Sequence, residues 1–156
     1  MGKSVLQEEI GKKNPFESLE QETTLNLFRT ADHLQQEFFR LFQENGLSAP
    51  QYNVLRILRG HGGDGVSCCV ISAQMISRMP DITRLVDRLE ESGWVERSRD
   101  REDRRVVRVK ITAEGLALLN RLDRPVLDIH KSQLSHLSRA ELSELNRLLV
   151  KARRAE

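Results

Sequence analysis

Arginine and threonine side chains recur at helical spacing near the middle of the chain, and a long basic segment follows them. Thr83, Arg84 and Arg88 lie away from the apolar stripe that the neighbouring isoleucine, leucine and valine residues predict for this helix. In the major groove of DNA an arginine can donate two hydrogen bonds to a guanine, and a threonine can contact a thymine methyl group. We therefore expect Thr83 and Arg84 to read bases, and Arg88, one turn further along, to contact a phosphate.

The basic segment from Arg97 to Lys110 holds seven basic and three acidic residues, a local excess of four positive charges. Residues 94–99 and 105–111 have the alternation typical of strands, and the polar run 100–104 between them predicts a hairpin with a charged tip. An arginine at such a tip can enter a narrow minor groove, where the negative potential is strongest. For the charge run by itself, the alternative is a solvated hairpin with internal salt bridges.

The second strand of this hairpin predicts how the hairpin is attached to the rest of the domain. Its apolar residues Val107, Val109 and Ile111 alternate with Arg108 and Lys110. Because side chains alternate across a strand, we expect the apolar side to seal the domain and the basic side to stay solvated.

Capping and turn residues before the arginine-bearing helix indicate that it is the second helix of a helix-turn-helix. Ser67 predicts the start of a short helix, and residues 77–80 predict a turn. Asp81 is expected to cap the helix that follows, with an ion pair to Arg78 or Arg84, or a hydrogen bond from cytosine, as the alternatives. Gly93 predicts the end of that helix before the hairpin begins. The unit is therefore a helix-turn-helix followed by a wing.

Four further helices are predicted around this unit. A long amphipathic helix covers residues 25–42, a second begins at the capping box Ser48 to Gln51, and two closing helices begin at Thr112 and Ser138. Pro125 is expected to bend or interrupt the first closing helix. The terminal helices carry more apolar surface than one small domain can cover, which predicts a partner. The expected fold class is mainly α with a small β-hairpin wing.

Length and composition restrict the classes of protein. With 156 residues, 38% hydrophobic and 31% charged, the chain can form about one domain, and its net charge of +2 does not by itself indicate nucleic-acid binding. No apolar run approaches the roughly 18 to 20 residues that cross a bilayer, and residues 1–22 lack the apolar core of a signal peptide, so we expect a cytoplasmic protein. No hydrolase, nucleotide-binding or zinc-protease motif occurs, so we expect no enzymatic activity and no cofactor.

The cysteines and histidines do not predict a metal site. Cys68 and Cys69 are adjacent and have no CxxC spacing, so neither a disulfide framework nor a structural zinc site is expected. We interpret them as half-buried residues at the start of a helix, with a redox switch as the alternative, because thiolates become reactive near helix N-termini. The four histidines have no partner at the spacing of helical metal sites, so no metal is expected.

The stretch ITRLVDRLEESGWVERSRDREDRRVVRVKITAEG, residues 82–115, resembles the recognition helix and wing of the MarR family of bacterial transcription regulators. A looser resemblance extends over about residues 20–150 and leaves the N-terminal segment outside. Residues 69–73 depart from the leucine and alanine pattern that is common in the family at this point. This departure leaves the path of the chain into the recognition helix open.

The resemblance implies a homodimer formed by the first and last helices. Each subunit then carries one winged helix-turn-helix, and the two recognition helices lie about one helical turn of DNA, ~34 Å, apart on a pseudo-palindromic operator. The chain divides accordingly into a flexible tail (1–20), a helical dimerisation region (21–45 and 113–156) and a winged helix-turn-helix DNA-binding domain (46–112).

The resemblance also assigns roles in the wing. Asp103 and Arg105 match the family's D-x-R pair, in which the arginine contacts the minor groove and the aspartate orients it, and Arg104 is a further candidate for a phosphate contact. The full set of candidate DNA contacts is Arg78, Thr83, Arg84, Arg88, Arg101, Asp103, Arg104 and Arg105.

Control by a small molecule is a further implication of the resemblance. Members of the family lose DNA affinity when a small, often aromatic or phenolic, anion binds between the dimer helices and the winged domain, so we expect a repressor released by an effector. Candidate pocket residues are Phe28, His33, Phe38, Tyr52 and Arg56, although aromatic residues at helical spacing are core more often than pocket. The alternative function is a winged-helix module that binds another protein.

Overall fold

Helices and one small sheet make up the chain, which a computed structural model describes for residues 2–100 and 103–154. The elements, in chain order, are α1 Val5–Glu9, α2 Leu19–Glu44, α3 Ala49–His61, a 3-10 turn Gly62–Asp64, β1 Val66–Ser67, α4 Cys68–Gln74, α5 Ile82–Glu91, β2 Val95–Arg99, β3 Val107–Ile111, α6 Ala113–Gln133 and α7 Arg139–Arg153. The predicted class, mainly helical with a small wing, is confirmed.

Side-chain caps determine where most of these helices begin. Ser48 and Gln51 form the predicted capping box of α3, and Ser138 and Glu141 form that of α7. Asp81 caps α5 by accepting a hydrogen bond from the backbone N–H of Arg84 at 2.9 Å, as its sequence position predicts. A cap of this kind satisfies a backbone donor that has no partner within the helix and stabilises the helix by about 1 kcal/mol.

The sheet has three antiparallel strands in the order β1-β3-β2, so it is one strand larger than the predicted hairpin. β2 and β3 pair from Val95 with Ile111 to Arg99 with Val107, and β1 adds Val66 opposite Val109 on the other side of β3. Two residues are too few for an alternation to be recognisable, which is why the sequence does not predict β1.

The anchoring of the wing is partly different from the prediction. Val109 and Ile111 are buried, as predicted, whereas Val107 is 41% exposed. Val107 pairs with Arg99 at the end of the ladder that lies away from the core, so its side chain extends beyond the residues that could cover it. Two apolar side chains of β3, rather than three, therefore attach the wing to the domain.

The core lies between α3, α4, α5, the sheet and the first half of α6. Its fully buried side chains include Leu55, Leu58, Ile71, Leu89 and Leu119. These positions come from α3, α4, α5 and α6, and Val109 of β3 is fully buried with them. Burial of their apolar surface therefore holds the helix-turn-helix, the sheet and α6 together as one body.

The outer helices are much less covered. Among the described residues, Phe42 is the buried side chain of α2, and α7 has none. Phe28 and Phe39 on α2 are 68% and 62% exposed, and Leu145 and Leu148 on α7 are exposed as well. A single subunit therefore leaves an apolar surface on these two helices, as the sequence predicts.

The N-terminal segment has more structure than the predicted tail of residues 1–20. Residues 5–9 form α1, in which Leu6 is 2% exposed, and Glu9 accepts a hydrogen bond from Arg29 of α2 at 2.8 Å. α2 itself begins at Leu19, within the segment assigned to the tail. Ser4 supplies an N-cap for α1, a local signal that the polar composition of the segment obscures.

α6 runs without a break through Pro125, so of the two predicted effects, a bend or an interruption, the interruption does not occur. Proline removes one backbone hydrogen bond from a helix interior. The buried side chains of Leu122 and Val126, on either side of it, supply packing that compensates for this loss. None of the described helices combines the length and the apolar character that a membrane span requires.

Candidate nucleic-acid interface

α5 presents two different faces. Ile82, Leu85, Val86 and Leu89 are buried against the core, whereas Thr83, Arg84 and Arg88 on the other side are exposed. Because the buried side chains hold the helix against the domain, the exposed side can enter a groove without the helix having to move.

Several arginines near α5 and at the wing tip have no partner among the described residues. In the described part of the chain, the side chains of Arg78, Arg84, Arg88, Arg104 and Arg105 are exposed and make no hydrogen bond or ion pair with protein groups. Each keeps all five guanidinium N–H donors for an external acceptor such as a phosphate or a guanine edge. Arg101, the remaining arginine of the predicted DNA-contacting set, lies outside the described residues.

The turn at the wing tip is shaped by Asp103. Its carboxylate accepts a hydrogen bond from the backbone N–H of Arg105 at 2.9 Å, and its own N–H donates to Asp100 at 3.0 Å. Its carbonyl accepts from the N–H of Val106, which closes the turn before β3 begins. Asp103 therefore orients Arg105 through the backbone, and the guanidinium of Arg105 has no partner within residues 2–100 and 103–154.

The base of the wing is fixed by Arg108, which is therefore not the solvated cation that strand alternation predicts. Its side chain pairs with Asp100 at the start of the tip and donates to the carbonyl of Gly65 at 3.2 Å. The bond to Gly65 connects β3 to the residue preceding β1. This arginine supports the wing and does not add to the DNA-facing set.

Arg97 connects β2 to α5. Its guanidinium donates to Asp87 at 2.6 Å, to Glu90 at 2.7 Å and to the carbonyl of Thr83 at 3.3 Å. Burial alone would lower the pKa of Arg97, but these hydrogen bonds to Asp87 and Glu90 raise it, so the group stays charged. The local charge count misses this role, although strand alternation places Arg97 on the same side as the buried Val95 and so indicates that it needs a partner.

A second arginine cluster connects α3 to α6. Arg59 donates two hydrogen bonds to Asp123, at 2.9 and 2.7 Å, and Arg56 approaches the same carboxylate at 3.5 Å. The ring of Tyr52, one turn before Arg56, stacks on Phe42 with centroids 4.4 Å apart. The sequence does not predict the Arg59 to Asp123 pair, because 64 residues separate its members.

The five predicted effector-pocket residues are only partly brought together. Phe38 contacts Phe42, which in turn stacks on Tyr52, next to Arg56. Phe28 lies ten residues, about 15 Å, closer to the N-terminus of α2 than Phe38. His33, five residues before Phe38, lies about 140° around the helix from it and is exposed. One subunit therefore collects Phe38, Tyr52 and Arg56 at the junction of α2, α3 and α6, without Phe28 and His33.

Removing the charge of Asp123 should alter stability in a pH-dependent way. The hydrogen bonds from Arg59 hold the pKa of Asp123 below its ordinary value, so their contribution is complete above about pH 4 and is lost as the pH falls through the lowered value. Asp123→Asn should lower the free energy of unfolding by about 1 kcal/mol or less at neutral pH, since the pair is half exposed. Urea denaturation at neutral and acidic pH measures this, and the variant should lose less stability on acidification than the wild type. Equal losses of stability on acidification in the variant and the wild type would contradict this contribution of the Asp123 pKa to stability.

The cysteines lie at the start of α4. Cys68 is half-buried and Cys69 is exposed. Burial raises the pKa of the Cys68 thiol, which disfavours the thiolate that a redox switch requires. Within residues 2–100 and 103–154, no three histidine, cysteine or acidic side chains come close enough to hold a metal ion.

Comparison with known proteins gives consistent matches. The sequence model of the MarR family matches residues 47–107. The chain is 32% identical over 123 residues to the HTH-type transcriptional repressor IacR of Pseudomonas putida, which covers 79% of this chain and 72% of IacR. A crystal structure of a MarR transcription factor from Planctomyces limnophilus has 46% identity and a TM-score of 0.67, covering 86% of this chain and 97% of that one. A structure of Bordetella bronchiseptica BpsR, described as showing how 6-hydroxynicotinic acid regulates its DNA binding, has 25% identity and a TM-score of 0.74, covering 84% of this chain and 98% of that one.

Proposed function

The chain belongs to the MarR family of helix-turn-helix transcription regulators, and from this we propose that it represses transcription by binding a pseudo-palindromic operator as a homodimer. The observation that carries the proposal is the set of arginines on α5 and at the wing tip that have no partner in the part of the chain that the structure describes. α5 enters the major groove with Thr83 and Arg84, while Arg105 reaches the adjacent minor groove. The proposal assigns the chain no catalytic activity.

The proposed dimer follows from the uncovered apolar surface of the outer helices. Phe28 and Phe39 on α2 and Leu148 on α7 expose apolar surface of the kind that marks a contact with another protein chain. A second copy of the chain covers them across a two-fold axis, because a symmetric interface uses the same surface on both subunits. Two winged domains then lie side by side with their α5 helices about one turn of DNA, ~34 Å, apart.

The proposed effector is a small aromatic anion at the junction of α2, α3 and α6. Tyr52 and the half-buried Phe38 offer ring surfaces there, and Arg56 offers a guanidinium that is only weakly engaged by Asp123 at 3.5 Å. BpsR, whose DNA binding is regulated by 6-hydroxynicotinic acid, supports this ligand class by similarity. The ligand acts only if its affinity for the subunit arrangement that cannot bind DNA is higher than its affinity for the arrangement that can.

The salt dependence of duplex binding tests the proposed function. Protein contacts that displace counterions make the logarithm of the binding constant fall linearly with the logarithm of the salt concentration, by about 0.9 per phosphate neutralised. Arg105→Ala should weaken binding and reduce this slope by about one to two, because the dimer loses one arginine at each of its two wing tips. Fluorescence anisotropy with a labelled duplex from about 50 to 200 mM salt measures both quantities.

Arg124→Ala is the matched control. Arg124 lies on α6, is 81% exposed and pairs with Asp128 four residues later. Its removal takes away the same charge at a distance from α5 and the wing, so the slope should stay at the wild-type value. A wild-type slope near zero, or an equal change in both variants, would contradict DNA binding through the wing and would favour a protein partner instead.

A further inference from the structure

Arg97 contacts α5 at three places along one side of the helix. The carbonyl of Thr83 and the carboxylates of Asp87 and Glu90 accept hydrogen bonds from its guanidinium, and Glu90 also accepts from its backbone N–H at 3.1 Å. Residues at positions i, i+4 and i+7 of a helix lie along one face over two turns. The guanidinium therefore bridges two turns of α5, and the Arg97 side chain is 23% exposed.

This contact determines how far the wing tip lies from α5. Arg97 is the third residue of β2, the strand that leads directly to the tip carrying Arg105. Several hydrogen bonds from one planar group fix both the distance and the angle between two elements, which a single point contact does not. A change at Arg97 is therefore transmitted along β2 to the position of Arg105 relative to Arg84.

The same contact also reduces the negative charge that the carboxylates of α5 present to DNA. Asp87 lies three residues after Arg84, a spacing at which oppositely charged side chains on a helix pair. In the structure Asp87 is bound by Arg97, and Arg84 has no partner in the described part of the chain. Arg97 thus binds two carboxylates and offsets one of their two negative charges, which would otherwise repel phosphates, and it keeps Asp87 from pairing with Arg84.

We propose that Arg97 is a positioning residue for DNA recognition, holding α5 and the wing in the one relative orientation in which Arg84 and Arg105 reach neighbouring grooves at the same time. The inference rests on the proposed DNA-binding function and adds to it a residue that itself contacts no base. Specificity then depends on Arg97, whereas the general attraction of the arginines to phosphates does not.

The test compares three variants on two duplexes. The probes are a duplex selected by the wild type from a randomised pool and a shuffled duplex of the same composition. Arg97→Met should lower the ratio of the two affinities by about tenfold, the size expected from one misplaced base contact, while binding to the shuffled duplex falls by only about threefold or less. Arg97→Lys, which can reach one carboxylate at a time, should recover part of the ratio.

Arg59→Met is the matched control for stability. Arg59 is exposed to a similar extent, at 26%, and also makes paired bonds to a carboxylate, but on α6 and not on α5. Circular dichroism and thermal unfolding should show a similar loss of stability in the two Met variants, and only Arg97→Met should change the affinity ratio. Should Arg97→Met not fold, Asp87→Asn removes the ion pair and leaves a neutral acceptor, and a lowered ratio is again expected.

A second readout separates positioning from simple loss of stability. Arg105→Ala should weaken binding to the selected duplex by about tenfold in the wild-type background, and by about threefold or less in the Arg97→Met background, where the wing no longer reaches its groove. Equal effects in both backgrounds, or an unchanged affinity ratio in Arg97→Met, would overturn the positioning role while duplex binding by the wild type stands. Absence of binding by the wild type to every duplex at low salt would instead overturn the proposed function itself.

Discussion

Arg84→Ala should lower the affinity of the dimer for the selected duplex by about thirtyfold or more, because the contact is lost in both half-sites, and leave binding to the shuffled duplex nearly unchanged. Arg84 lies in the first turn of α5, which in a helix-turn-helix is the part that reaches the base edges. Its backbone N–H is taken by the cap Asp81, and its exposed side chain has no partner in the described part of the chain. A two-pronged contact from this side chain to guanine contributes about 1–3 kcal/mol of discrimination in each half-site.

Selection from a randomised pool is the measurement that checks this prediction. The wild type should retain a guanine at one position of each half-site, and Arg84→Ala should lose the preference at that position alone. Arg88→Ala is a suitable control, because we assign Arg88 to a phosphate and its loss should weaken binding to all duplexes uniformly. A base preference that is identical in Arg84→Ala and the wild type would contradict the assignment of Arg84 to a base.

Gly115→Ala should be the most destabilising single substitution that we consider, with a loss of about 3 kcal/mol in the free energy of unfolding. Gly115 is buried in the first turn of α6, and an added Cβ would lie 2.4 Å from the carbonyl oxygen of Trp94 and 2.8 Å from Cγ1 of Ile111. That carbonyl also accepts a hydrogen bond from Thr112 at 3.0 Å, so it cannot move aside without breaking the bond. The start of α6 would have to separate from the sheet that carries the wing.

Gly60→Ala provides the matched control for this prediction. Gly60 lies in α3, where a Cβ would meet nothing within 4 Å. Alanine should therefore stabilise the protein slightly, by about 0.5–1 kcal/mol, because glycine is the poorer helix former. Urea denaturation at one protein concentration compares the two, and a Gly115→Ala protein as stable as the wild type would contradict the close approach of α6 to Trp94.

Features that depend on neighbouring residues could be predicted from the sequence. The caps at Ser48, Asp81 and Ser138, and the apolar face of α5, involve residues within one or two turns of each other. Their signal is a spacing of three or four positions, which is visible without knowledge of the fold. The helix-turn-helix and the wing followed from such local signals.

Features that depend on contacts between distant elements could not be predicted in the same way. Arg97 was recognised only as one charge in a basic segment, because its partners on α5 become neighbours when β2 folds back along that helix. The pair of Arg59 with Asp123 and the bond of Arg108 to Gly65 likewise join segments that are far apart in the chain. For contacts of this kind the sequence provides the charged side chains but not the choice of partner.

Chemical footprinting of the wild type on its selected duplex tests the central claim most directly. Two α5 helices and two wings on a two-fold axis predict protection of guanine N7 in two major-groove segments about one helical turn, ~34 Å, apart, with protected minor groove beside each. A single protected segment, or protection without two-fold symmetry, would contradict the account of paired helix and wing surfaces.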